Sequence, residues 1–190
     1  MRNAAFLSVV LLVACAGSST PPTQYLLRAE PADRSGRVEA PVRVGLGRVA
    51  VAPYLDQSGI VVETEADQVR AAREHQWAEP LGASLRSYLR GEMSAALGYD
   101  VSAGRNDPGD WDFAVDVYVD RLHGTMAGTA VLDASYLITP RTGTGDAAAY
   151  RFSRSAPLPR EGYAGLVDAE ADLVRQLAQA IAASLREIGQ

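Results

Sequence analysis

The sequence predicts an α+β domain with two layers, in which two main helices pack on a mixed or antiparallel sheet. Residues 112–120 alternate between apolar and mostly polar side chains, which is typical of a strand with one buried face. Two longer segments, near 80–97 and 162–188, carry apolar residues at helical spacing. Helices of this kind bury their apolar stripe against a sheet, which gives two layers. No internal repeat indicates a second domain.

The first fourteen residues are predicted to be a lipoprotein signal peptide. Arg2 supplies a positive charge, and Ala4 to Val13 is an apolar run, which together are typical of a secretory signal. Fourteen helical residues reach about 21 Å, which is short of the roughly 30 Å hydrocarbon core of a bilayer. We therefore interpret this segment as a signal rather than a membrane-spanning helix.

Cys15 is the predicted lipid anchor. It is the only cysteine and follows Leu12-Val13-Ala14, which resembles the lipobox of bacterial lipoproteins. The alternative is cleavage at another small residue, with Cys15 buried as an ordinary thiol. Ala16, rather than Asp, follows the cysteine, which favours the periplasmic face of the outer membrane. Residues 15–24 then form a lipidated flexible tether, and residues 25–190 form one domain.

Strands are predicted along the first half of that domain. Tyr25–Leu27 is a short apolar strand. Residues 42–51 alternate with a change of phase, which a bulge near Gly47 would correct. Further strands are expected at Ile60–Val62 and Gln68–Trp77.

The second half is predicted to be two helices and a meander of three antiparallel strands. The first helix runs from about Pro80 to Leu97, because Pro suits a first turn and Gly98 suits the terminating left-handed position. The strand near residues 113–119 is followed by turns at 124–128 and 141–146 and by partner strands near 130–138 and 150–154. The last helix runs from about Gly162 to Ile188 and is amphipathic.

Composition excludes several classes of function. The chain has 190 residues, 18 basic and 23 acidic side chains and a formal net charge of -5, and every basic residue is arginine. No stretch concentrates arginine into a basic stripe, so we expect no nucleic-acid partner. The absence of lysine excludes a P-loop lysine and a Schiff-base lysine. One cysteine excludes intrachain disulfides and Cys-rich zinc modules.

Motifs for catalysis or cofactor binding are not convincing. Gly45–Ala50 matches the G-x-G-x-x-A dinucleotide fingerprint, but that motif needs a helix to begin there, whereas the following residues continue as a strand. His75 and His123 lack metal-ligand spacing. Asp112, Asp116 and Asp120 form an acidic row, for which a solvated face is the simpler explanation than a cation site. We therefore expect no enzyme activity, no cofactor and no metal.

Tyr54, Leu55 and Trp77 are the large apolar residues that periodicity explains least. Pro53 removes a ladder donor, so Tyr54 and Leu55 must leave the sheet, while Trp77 lies just before a helix start. One interpretation is that they cap the core at the ends of elements. The other is that they form a contact patch for a protein partner or an acyl chain, and we predict that the two segments lie together at one end of the sheet.

The run from Val44 to Val61 (VGLGRVAVAPYLDQSGIV), followed by His75–Leu81 (HQWAEPL), resembles the PqiC-like (YmbA-like) family. Its members are auxiliary lipoproteins of ABC-type transport systems that work with MCE proteins. Tyr25–Leu27, soon after the cysteine, fits the same resemblance. The family is expected to have Arg-Pro where this chain has Gln57-Ser58.

This resemblance implies a non-enzymatic periplasmic lipoprotein that docks or receives the MCE assembly carrying lipid between membranes. The expected partners are an MCE-domain protein and ABC transporter components, with the membrane bound through the N-terminal lipid; phospholipid binding by the chain itself and homo-oligomer formation are left open. The alternative is an envelope-structural or assembly lipoprotein without lipid traffic. Neighbouring genes for an MCE protein, a permease and an ATPase would favour transport.

Overall fold

A computed structural model describes residues 21–29, 40–65, 67–102, 111–143 and 145–189. It contains a seven-stranded mixed sheet and two long helices, which confirms the predicted α+β class. The elements in chain order are β1 (Thr23–Tyr25), β2 (Val44–Val51), a short 3₁₀ helix (Pro53–Leu55), β3 (Gly59–Glu65), β4 (Gln68–Trp77), α1 (Leu81–Leu97), β5 (Phe113–Thr125), β6 (Thr129–Pro140), β7 (Ala148–Pro157) and α2 (Gly162–Ile188).

Strands β5, β6 and β7 form the predicted antiparallel meander. Val115, Val117 and Val119 are buried, whereas Tyr118 on the other side of β5 is exposed, as the alternation requires. The turn after β5 begins later than the sequence suggested. Gly124 still pairs with Ala130 of β6, and β5 continues to Thr125.

The first four strands are arranged in a way that the sequence did not predict. Strands β2 and β3 both run parallel to β5 along the same edge, and β1 runs parallel to β4. The sheet therefore reads β1-β4-β3-β5-β6-β7, with β2 beside β5. Strand β1 covers Thr23–Tyr25 rather than Tyr25–Leu27, because Thr23 and Gln24 pair with the end of β4.

The predicted bulge in β2 is confirmed. Leu46 pairs with Val115, but Val49 pairs with Val117, so Gly47 and Arg48 together occupy the space of one ladder position. The guanidinium of Arg86 on α1 donates hydrogen bonds to the carbonyl oxygens of Leu46 and Gly47. The bulge turns Val49 and Val51 back to the helix side, where both pack against the core.

Both helices lie on one face of the sheet and pack against each other. Helix α1 begins after Pro80 and ends at Leu97, and the following Gly98 has a φ of 84°, in the left-handed region that glycine tolerates. Helix α2 begins at Gly162 and ends at Ile188, as predicted. We call the helix side the covered face and the opposite side of β2, β5, β6 and β7 the open face.

Candidate functional site

The 3₁₀ helix places Tyr54 and Leu55 in different environments. The Leu55 side chain is 1% exposed and belongs to the core. Tyr54 is half-buried, and its hydroxyl donates to the carbonyl oxygen of Asp120 at 3.2 Å. Its ring lies edge-on to His123, with 6.2 Å between centroids. The structure thus assigns Leu55 a packing role and leaves only part of Tyr54 accessible to a partner.

Trp77 ends β4 and is 6% exposed. Its backbone N–H donates to the carbonyl oxygen of Ser58 at 2.7 Å, and the N–H of Ala78 donates to that of Tyr25 at 2.8 Å. These bonds hold the segment after Leu55, the end of β4 and strand β1 together. The two segments that carry the family resemblance are therefore neighbours in space, and the Trp77 side chain between them and the core is buried.

The accessible surface at this point is a shallow groove of about 380 Å³, which we call the loop groove. Asp56 and Glu79 give it two exposed carboxylates. Glu79 is fixed because its Oε1 accepts a hydrogen bond from Ser84 Oγ at 2.8 Å. The groove is lined by Asp56, Gln57, Ser58, Trp77, Ala78, Glu79 and Pro80. An anionic rim over a rigid base suits a polar or cationic segment of a partner.

The two histidines take part in separate packing clusters. His75 Nδ1 lies 3.0 Å from the Tyr25 hydroxyl oxygen, and the imidazole stacks on the Tyr163 ring with 4.2 Å between centroids. His123 is 3% exposed, and its Nδ1 lies 3.1 Å from the Gly124 carbonyl oxygen. Within the described ranges, no three His, Cys, Asp or Glu side chains gather as metal ligands would.

The acidic row of Asp112, Asp116 and Asp120, just before and along β5, does not form one site. Asp112 forms an ion pair with Arg43 at 3.2 Å, and hydrogen bonds from the Arg43 side chain and backbone hold the pKa of its carboxyl below the usual value. Asp116 Oδ1 accepts the backbone N–H of Arg48 at 2.5 Å and so fixes the bulge. Asp120 is exposed. Two of the three carboxylates therefore hold β2 in place.

Glu170 is a notable residue that the sequence analysis missed. It lies in the middle of the apolar stripe of α2 and is 1% exposed, and its Oε2 has no hydrogen-bond partner among the described residues. Burial raises the pKa of the carboxyl to about 8, so the neutral acid predominates at pH 7. Its position in the sequence could have indicated this burial. Residues three or four apart share one face of a helix, and the residues at these distances from Glu170 are all apolar: Leu166, Val167, Leu173 and Val174.

Cys15 lies outside the described residues, and its predicted lipidation stays a prediction. Among the residues that the structure describes, neither helix combines the length and apolar character needed to cross a bilayer.

Comparisons with solved structures establish that the fold recurs. A crystal structure of an uncharacterized protein matches with a TM-score of 0.74 and 24% identity, over 87% of this chain and 99% of that chain. Protein XCC0632 from Xanthomonas campestris matches with a TM-score of 0.61 and 15% identity, over 85% of this chain and 91% of that chain. A comparison with curated proteins gave no significant match.

The family comparison covers nearly the whole described domain. Residues 25–182 match the model of the ABC-type transport auxiliary lipoprotein component, a span that includes the loop groove, the bulge of β2 and most of α2. The role named for this family is auxiliary to transport and is not an enzyme class. The chain therefore belongs to the family of ABC-type transport auxiliary lipoprotein components.

Proposed function

We propose that this chain is a non-enzymatic, lipid-anchored component of an ABC-type system that moves lipid with an MCE-domain protein. It works at the periplasmic face of the outer membrane, where it docks or receives the MCE assembly. Family membership over residues 25–182 carries this proposal. The sequence Leu12-Val13-Ala14-Cys15 supplies the anchor, and several acyl chains on one residue give stable attachment where a single chain is marginal.

The loop groove is the proposed contact for the MCE-domain protein. It combines exposed polar groups at Asp56, Gln57 and Glu79 with the buried side chain of Trp77, and the preceding Leu55 is packed in the core. A contact surface on a rigid support loses little conformational entropy on binding. The exposed part of Tyr54 extends this surface toward the end of β5.

The anchor is tested by Cys15→Ala. This variant should lose labelling by a fatty-acid probe and should either leave the membrane fraction or accumulate as an unprocessed precursor. Cys15→Ser provides a second variant with a closer side-chain volume and the same expected result. Continued labelling of either variant would contradict lipidation at this residue.

The contact is tested by photo-crosslinking in intact cells. A photoreactive residue at exposed Gln57 should crosslink to the MCE-domain protein, whereas the same residue at Gln179, exposed on α2, should not. Equal crosslinking from both positions, or none from Gln57, would remove the loop groove as the contact. Crosslinks only to envelope-assembly proteins would favour the alternative function without lipid traffic.

A further inference from the structure

The open face of the sheet contains a second groove, which we call the sheet-face groove. It has a volume of about 540 Å³ and crosses β2, β5, β6 and β7. Along its floor, Ala50 pairs with Tyr118, Tyr118 with Ser135, and Ser135 with Arg151 in successive strands. Neither helix covers this side of the sheet.

Two large apolar side chains stand in the middle of this groove. Tyr118 is 40% exposed and Leu137 is 38% exposed. They are diagonal neighbours, because Leu137 pairs with Asp116, two residues before Tyr118, and such neighbours are within reach of each other on one sheet face. A small apolar centre is thus presented to solvent.

Arginines stand at opposite sides of this centre. Arg48 is carried by the bulge of β2 and Arg151 by β7. Neither guanidinium has an ion pair or hydrogen bond within the described part of the chain, whereas Arg43, Arg121 and Arg160 are all paired with carboxylates. Three inter-strand steps of about 4.8 Å separate β2 from β7, so the two cationic side chains start at least about 14 Å apart.

The carboxylate nearest to this pair is Asp116, which also lines the groove. Asp116 Oδ1 accepts the N–H of Arg48, and farther along the face Asp133 is paired with Arg121 at 3.2 Å. Asp120 and Asp133 lie at the other end of the face, where they line a neighbouring hollow that also includes Arg151. The lining of the sheet-face groove therefore carries two arginines and one carboxylate, a net charge of one positive unit, on a chain whose net charge is -5.

We propose that the sheet-face groove binds an acidic segment of the partner protein, with an apolar residue over Tyr118 and Leu137 and carboxylates on Arg48 and Arg151. Arginine and aromatic residues are enriched at protein interfaces, and guanidinium groups pair with carboxylates in a bidentate manner. A shallow, four-strand-wide groove fits a chain segment better than one headgroup. The net negative charge opposes close contact with an anionic membrane. This inference rests on the proposed function, which supplies the partner.

The test compares charge reversals in the full-length lipoprotein. Arg48→Glu with Arg151→Glu should weaken retention of the purified MCE-domain protein by at least about tenfold. Arg70→Glu with Arg73→Glu, which alters two exposed arginines on β4, should leave retention within about twofold. The pair Arg48→Lys with Arg151→Lys should bind with an affinity between those of the wild type and the reversal, because the charge remains but the bidentate geometry is lost. Circular dichroism of each variant checks folding.

Each outcome separates the two proposals. If the wild-type chain retains the MCE-domain protein and the Arg48→Glu, Arg151→Glu variant retains it equally, the sheet-face groove is not a docking site, although the proposed function stands. If the wild-type chain does not retain that protein, the proposed function itself fails and this inference fails with it. If the reversal instead abolishes binding of a soluble, short-chain phosphatidylglycerol, the occupant is lipid and the inference is wrong.

Discussion

The two faces of the sheet use the same backbone for opposite purposes. On the covered face, Val115, Leu132 and Ile138 are fully buried beneath the helices. On the open face, the positions between them hold Asp116, Tyr118 and Leu137, which stay partly or largely accessible. Strand alternation supplies both sets from the same strands. Substitutions on the covered face should therefore change stability, and those on the open face should change binding.

The largest effect on the covered face is expected at Trp77. Its indole is almost completely buried, and replacing a buried Trp by Ala removes its apolar contacts and leaves a cavity. We expect Trp77→Ala to lower the free energy of unfolding by about 3 to 5 kcal/mol. Denaturant unfolding followed by circular dichroism measures this change. A loss below about 1 kcal/mol would mean that Trp77 does not support the loop groove.

Glu170 makes the covered face sensitive to pH. The pKa of its carboxyl is raised from 4.5 to about 8 in the folded chain, so the folded state holds a proton that the unfolded state releases between these values. The contribution of Glu170 to stability is then most favourable below pH 4.5, falls as pH rises toward 8 and levels off above it. At about 1.4 kcal/mol per unit of pKa shift, the total is a few kcal/mol.

The variant Glu170→Gln should remove this part of the pH dependence. The amide stays buried and uncharged, so the free energy of unfolding should change less between pH 5 and pH 8 than in the wild type. The exposed Glu187→Gln on the same helix is the matched control and should leave the slope unchanged. Urea unfolding at several pH values gives the slopes. Equal slopes for the wild type and Glu170→Gln would contradict a raised pKa of the Glu170 carboxyl.

Features that depend on nearby residues could be predicted from the sequence, whereas distant pairings could not. The alternation around Val115–Val119 predicted β5, and the apolar stripe predicted α2 to its end residues. The change of phase at Gly47 predicted the bulge. The parallel pairing of Val49 with Val117 could not be predicted from the residues around either position. Any apolar strand of the chain could pair with that edge of β5.

The candidate site was predictable only in outline. The resemblance identified the two segments that form the loop groove, but an apolar residue after Pro53 has the same sequence pattern whether it points outward or inward. Leu55 points inward. The sheet-face groove was not predicted, because Arg48 and Arg151 come together only through the pairing of four strands.

The smallest predicted effect compares one hydroxyl group on each face. Tyr136 is buried on the covered face, and its hydroxyl shares a hydrogen bond of 2.9 Å with Ser184 Oγ of α2. Tyr118 lies on the open face and makes no hydrogen bond through its hydroxyl within the described residues, while its ring is exposed to solvent. Substitution by Phe removes only the hydroxyl group, both at Tyr136 and at Tyr118.

Tyr136→Phe should cost about 1 to 2 kcal/mol of unfolding free energy, because the Ser184 hydroxyl is left buried without its partner. Adding Ser184→Ala should recover most of that loss, since no polar group then remains unpaired. Tyr118→Phe should change stability by less than about 0.5 kcal/mol. Denaturant unfolding of the four variants, including Ser184→Ala alone, measures the coupling. A loss for Tyr118→Phe as large as that for Tyr136→Phe would mean that the open face is covered in the folded chain, which would leave no accessible surface for an acidic segment.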